Sequence, residues 1–177
     1  MNFLKKQGVA WVITIVMIII AIGIGSAKSD NPTPAPGPSS PPISQNAYYF
    51  VQDDAGILTD SDEKALGNLN RKLSDSMGVV VACVTTRDGR SDIYKLALEY
   101  GDQIGLQEYD FIIVVDMSSQ QYILVQGAGL VDLFTDSDCE EYADRWLLDG
   151  LNDGDYGEAF MDLAQALAGW YEDHYVA

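Results

Sequence analysis

Acidic residues follow three apolar runs of this chain. Asp53 and Asp54 come after Tyr48-Tyr-Phe-Val51, Asp88 comes shortly after Val79-Val-Val-Ala-Cys-Val84, and Asp116 closes Phe111-Ile-Ile-Val-Val115. In open α/β sheets, ligands favour the carboxyl ends of parallel strands, so these aspartates are candidates for one shared site. Hard divalent cations take oxygen ligands, and Ca²⁺ wants about six to eight of them. Asp53, Asp54, Asp88 and Asp116, with carbonyls and water, are therefore the candidate ligands for Ca²⁺ or Mg²⁺. Arg87 and Arg90 flank Asp88 and are candidate phosphate contacts, although local pairing with carboxylates is the simpler use of them. Each aspartate also suits a cap or turn that bonds its own backbone.

Several standard chemistries are poorly served. His174 is the single histidine and lies near the C-terminal end of the sequence, which argues against a Ser-His-Asp triad or a histidine metal site. Three and six residues separate Cys83 from Arg87 and Arg90, whereas a phosphate-cradling cysteine loop needs five. Gly127-Ala-Gly129 lacks the third glycine and the helix context of a dinucleotide loop. Cys83 and Cys139 are the only cysteines. An exported location permits a disulfide between them, but two separate, partly buried thiols is the simpler expectation.

The elements that must position these residues follow from periodicity. Residues 48–51 read as a short strand. Thr59 caps a helix in which Ala65, Leu66, Leu69, Leu73 and Met77 recur at helical spacing, with Asp62 completing a capping box and Gly78 as the stop. Val79–Val84 reads as a strand buried on both faces. A second helix carries Ile93, Leu96, Ala97, Tyr100 and Ile104. Residues 111–116 and 122–126 form a hairpin across the turn Ser118–Gln121. A third helix runs over about 135–148, the turn Asn152–Asp155 follows, and a fourth spans about 156–171. This order predicts an α/β fold: a layered α/β/α domain with a mixed, mainly four-stranded sheet and helices on both faces.

The remainder of the chain places this domain. Gly8–Gly25 is an eighteen-residue uncharged run, long enough at about 27 Å to span a bilayer's hydrocarbon core. Lys5 and Lys6 precede it, which keeps the N-terminus inside and exports the rest. Gly25-Ser26-Ala27 also suits a signal-peptide cleavage site, but signal h-regions usually run about 7–15 residues. All six prolines fall between Pro32 and Pro42, which gives an extended spacer. Residues 1–27 thus read as a membrane anchor or signal peptide, 28–46 as a proline-rich linker and 47–177 as an exported domain. The anchored reading gives a single-pass protein of the cell membrane, preceded by one transmembrane helix and with its C-terminal domain extracytoplasmic. All 27 acidic and eight of the ten basic residues follow the run, a balance of −19. That argues against nucleic acid and against direct adhesion to an anionic lipid surface.

These words in this order resemble the TPM domain family. Asp53-Asp-Ala-Gly-Ile-Leu58 before a capped helix is similar to the family's opening motif. The strand after Gly78, the helix with Tyr94-Lys-Leu-Ala97, and Phe111–Asp116 continue the likeness. So do Gly127-Ala-Gly129, Leu133-Phe-Thr-Asp136 and Gly154-Asp-Tyr156. The long glycine-rich stretch usual before the second buried strand is missing. The resemblance implies an exported α/β domain with a loosely defined role. Plant relatives are thylakoid lumen proteins linked to photosystem II repair, with acid phosphatase activity and calcium binding ascribed to some. Bacterial relatives are membrane-associated. Two functions are therefore expected: a binding or maintenance module for membrane or envelope proteins, or a metal-dependent acid phosphatase using the aspartates named above.

Overall fold

The structure, a computed structural model, describes residues 49–174. The apolar run Gly8–Gly25 and the proline spacer lie outside them. Among the described residues no helix is long and apolar enough to cross a membrane.

The chain runs β1 (Val51–Asp53), α1 (Asp60–Met77), β2 (Val81–Thr86), α2 (Ile93–Ile104), β3 (Phe111–Asp116), β4 (Gln121–Gln126), α3 (Asp136–Trp146), α4 (Leu148–Asp153) and α5 (Tyr156–His174). The sheet order is β1-β2-β3-β4. The first three strands are parallel and β4 returns antiparallel beside β3. β2 and β3 are buried throughout, as their unbroken apolar runs require. Alternation along them feeds two cores. Val81, Cys83, Phe111, Ile113 and Val115 meet Leu66, Leu73, Phe160, Leu163 and Leu167 of α1 and α5. Ala82, Val84, Ile112 and Val114 meet Leu96 and Ala97 of α2. The larger core also takes in Cys139, Ala143 and Leu151, so α1, α3, α4 and α5 cover one face and α2 the other.

Local chemistry sets the boundaries. Thr59 and Thr135 each form a capping box, with Asp62 and Asp138 at the third helical position. Gly78, Gly105 and Gly154 close α1, α2 and α4 in the left-handed conformation.

Several boundaries differ from the sequence reading, and β4 begins one residue early, at Gln121. The first strand begins at Val51, not Tyr48. Tyr49 is drawn onto α1, where its carbonyl accepts from Asn70 Nδ2 at 3.2 Å and its hydroxyl lies 3.2 Å from Ser74 Oγ, and Phe50 turns at φ 58°. The second strand runs from Val81 to Thr86, because Thr85 and Thr86 pair with β1 and β3 while Val80 N donates to Asp110. The third helix is two. The backbone breaks at Leu147, and α4 includes Asn152 and Asp153, which the sequence places in a turn. A Cβ on Gly150 would sit 2.7 Å from that of Ala159, so α4 is fitted closely against α5.

Candidate functional site at the carboxyl edge of the sheet

The parallel strands deliver Asp53, Thr85, Thr86 and Asp116 to one edge, as the topology demands. Register then divides them. Asp53 pairs with Thr85 and Asp116 with Thr86, one step apart along β2. Successive strand residues point to opposite faces. Asp53 and Thr85 therefore share the face of α1 and α5, whereas Thr86 and Asp116 share the face of α2.

Asp53 closes its own loop. Its Oδ1 and Oδ2 accept from Ile57 N at 3.1 Å and Leu58 N at 2.9 Å, and Oδ1 also accepts the Thr85 hydroxyl. Thr85 Oγ1 accepts in turn from Ala55 N at 3.2 Å. Arg87 completes the clasp, its Nε and a terminal nitrogen donating to Ala55 O at 3.1 and 2.9 Å.

Asp116 is fully buried and holds a different pair of loops. Its Oδ2 accepts from Gly89 N at 2.7 Å and from Ser119 Oγ at 2.9 Å, while Oδ1 accepts from Ser118 N at 2.9 Å. The β2–α2 loop is thereby latched to the β3–β4 hairpin, and Ser118 Oγ adds a bond to Arg87 O at 2.9 Å. Gly89 sits at φ +77°, with Ser118 Cβ 3.3 Å from where its own Cβ would stand. That left-handed position favours glycine.

Asp88 and Arg90 pair locally, with Arg90 Nε 2.6 Å from Asp88 Oδ1, and Arg90 also reaches Glu99. Both lie toward solvent, where such pairs contribute little. Among the described residues, Asp54 alone of the four aspartates has an oxygen that no protein donor reaches. Its Oδ2 takes Gln52 Nε2 at 2.8 Å and the Tyr100 hydroxyl at 3.1 Å, and among the described residues no bond reaches Oδ1.

The structure thus gathers Asp54 and Asp88 on the α2 side around Tyr100 and sets Asp53 apart. Tyr100 was read as a core position of α2, yet its hydroxyl also lies 3.2 Å from Thr86 Oγ1. Burial raises the phenol's pKa, and the negative charges of Asp54 and Asp88 add to the rise. Inward helical spacing was the only sequence signal for Tyr100, and it cannot distinguish a ring tip that stays polar. On the other side of the edge, burial raises the pKa of Glu63, helped by Asp53 and Asp60. Among the described residues, no three His, Cys, Asp or Glu side chains are grouped so as to hold a metal ion.

Away from the edge, both cysteines are free thiols. Burial pushes each thiol's pKa up, that of Cys139 to about 12. His174 stacks on Trp170 at 5.2 Å, on the helix that packs against the opposite end of β3.

A family model described as the TPM domain matches residues 51–169. Among solved structures, the chain is similar to the N-terminal domain of a protein from P. gingivalis, with a TM-score of 0.65 and 19% identity over 73% of this chain and 85% of that one. The N-terminal domain of a Corynebacterium glutamicum protein gives a TM-score of 0.55 and 18% identity over 75% and 84% of the two chains. The BA42 protein of the psychrophile Bizionia argentinensis gives 0.52 and 13% over 61% and 77%. At these identities the likeness is one of fold. No curated protein matches the chain.

Proposed function

This chain belongs to the TPM domain family, and from that premise we propose a binding or maintenance module for membrane or envelope proteins. In this reading Gly8–Gly25 holds the protein at the cell membrane and residues 47–177 lie outside. The observation that supports it most is the commitment of the edge's polar groups to the fold. Asp53 and Asp116 accept donors on both carboxylate oxygens, and Arg87, Arg90 and Asp88 are bonded within the domain. Groups spent in this way make the loops at this edge rigid, and rigidity lowers the ordering cost of binding. Hydrolysis asks instead for a nucleophile or base with spare capacity and a substrate-facing oxygen.

Affinity capture tests the reading. Full-length protein in mild detergent should enrich particular membrane or envelope proteins over a bait lacking residues 1–27. Identical recovery by the two baits would defeat it. Protease added to intact cells should also clip the proline spacer and release a folded domain. The untreated protein should begin at Met1 or Asn2; a start at Lys28 would mean a cleaved signal peptide.

Asp54 supports a second reading, a metal-dependent acid phosphatase. Its free Oδ1 would be the natural contact for Ca²⁺ or Mg²⁺, whose role would be to polarise a phosphomonoester. Asp54→Asn is then the informative substitution. Asp116→Asn is not, because Asp116 holds two loops together.

A further inference from the structure

The segment between β4 and α3 presents apolar side chains to solvent from an ordered loop. Val131 is 49% and Leu133 59% exposed, while their neighbours Leu130 and Phe134 are buried to 0% and 1%. The loop is fixed by backbone bonds. Leu130 N donates to Gly127 O at 2.9 Å, and both Leu133 N and Phe134 N donate to Leu130 O at 2.8 Å. Gly129 N reaches Glu108 O at 2.7 Å, and the Thr135 capping box locks the start of α3. Mobility therefore does not explain the exposure of Val131 and Leu133. Burial of Leu130 and Phe134 already anchors the loop, so the outer pair adds little to the core.

The surroundings of this pair are acidic. Asp132 lies between the two residues, and Asp136, Asp138 and Glu140 follow on the first turns of α3. The only basic side chain on that helix, Arg145, pairs with Glu141 at 2.9 Å. An apolar pair in a carboxylate-rich stretch complements an apolar side chain flanked by lysine or arginine. Apolar contact supplies affinity at the centre, and opposite charge at the rim sets orientation and association rate.

We propose that Val131 and Leu133, with Asp132 between them and the acidic first turns of α3 following in the chain, form the docking face for a basic, leucine-bearing peptide segment of a protein partner. This proposal rests on the binding-module reading and names the chemistry of the partner.

The test uses the full chain in nanodiscs and a synthetic amphipathic peptide of lysines and leucines, one leucine replaced by a photo-activatable analogue. Cross-links should concentrate on residues 130–140, because peptide bound to lipid gives no protein adduct. The double substitution Val131→Ser with Leu133→Ser should cut the yield by ~10-fold, a loss typical of removing a central apolar anchor. Asp132→Asn with Glu140→Gln should lower it chiefly at low salt, where screening is weak. Tyr94→Ser, at another exposed apolar position on α2, should leave it unchanged. Adducts spread over the acidic surface would overturn the proposal. So would equal competition by a peptide with serine in place of leucine, or an unchanged yield in the Val131/Leu133 variant. Capture of the same membrane proteins by wild type and that variant would refute this face and leave the binding-module reading intact; failure of both to capture any would strike that reading instead.

Discussion

Asp53 and Asp116 end the first and third strands of one parallel sheet and point to opposite faces of it. Asp53 pairs with Thr85 and Asp116 with Thr86, so a single step in register separates their side chains by the full thickness of the sheet. Each carboxylate accordingly organises its own loops: Asp53 the turn into α1, and Asp116 the link between the β2–α2 loop and the hairpin. The edge contains two latches, one on each face.

Asp116 is expected to matter for stability more than for activity. Asp116→Ala would take a fully buried acceptor away from the Gly89 and Ser118 amides and the Ser119 hydroxyl and unlatch the two loops. The expected loss is about 2–4 kcal/mol, read as a lower urea midpoint with an unchanged slope. Asp54→Asn, at a more exposed carboxylate, should stay within about 0.5 kcal/mol of wild type.

The sheet and most helices were legible in the sequence, because unbroken apolar runs, helical spacing and a threonine cap are local signals. Two kinds of feature were not. The splitting of the third helix comes with the close fit of Gly150 against Ala159, a contact made only when α4 and α5 pack. The division of the acidic edge depends on register, and a one-residue shift reverses which face an aspartate serves while leaving the local composition unchanged. Asp116 reads correctly as the close of its strand and Asp88 as a loop residue, whereas Asp53 is the last residue of β1 and not part of the turn; only the fold reveals what holds their oxygens.

Close packing at Gly127 and Gly129 gives a prediction of its own. A Cβ at Gly127 would lie 2.4 Å from the Glu108 carbonyl oxygen, and one at Gly129 would lie 2.5 Å from the Tyr109 ring. The segment they press on is itself tied down, since Gly127 N donates to Asp110 O and the Tyr171 hydroxyl to Tyr109 O. Gly127→Ala should therefore cost about 2–3 kcal/mol through forced backbone movement. Gly154→Ala, at φ +88° with nothing within 4 Å, should cost only about 1–2 kcal/mol from its left-handed conformation. Equal losses in the two variants would contradict the packing argument.

Asp138 and Asp110 should give opposite slopes in acid. Hydrogen bonds from the Thr135 hydroxyl and amide lower the pKa of the Asp138 carboxyl below 3.8, its ordinary value. Its contribution is complete above that value and is lost as pH falls through the lowered folded pKa. Burial raises the pKa of the Asp110 carboxyl above 3.8 despite bonds from Gln107 and Val80 amides. The folded state then binds that proton more tightly, so the Asp110 contribution declines as pH rises through the interval from 3.8 to its raised value. Urea midpoints of Asp138→Asn measured from pH 3.8 downward should fall less steeply than those of wild type.

Cys83 and Cys139 are expected to stay reduced and protected. Alkylation of the folded protein should be slow, and unfolding should expose both thiols. Reductant should leave the melting temperature unchanged; a drop would signal a disulfide in place of the free thiols described above.

The central claim is that the carboxyl edge maintains structure and recognition rather than turning over a phosphate ester. Its most direct test is hydrolysis of para-nitrophenyl phosphate by purified full-length protein, from acidic to neutral pH, with Ca²⁺ or Mg²⁺ present. Wild type and Asp54→Asn are compared, and their melting temperatures are checked for equality. The account predicts that both remain at the buffer background with either metal. A wild-type rate that Asp54→Asn abolishes without lowering the melting temperature would contradict it and establish the phosphatase reading.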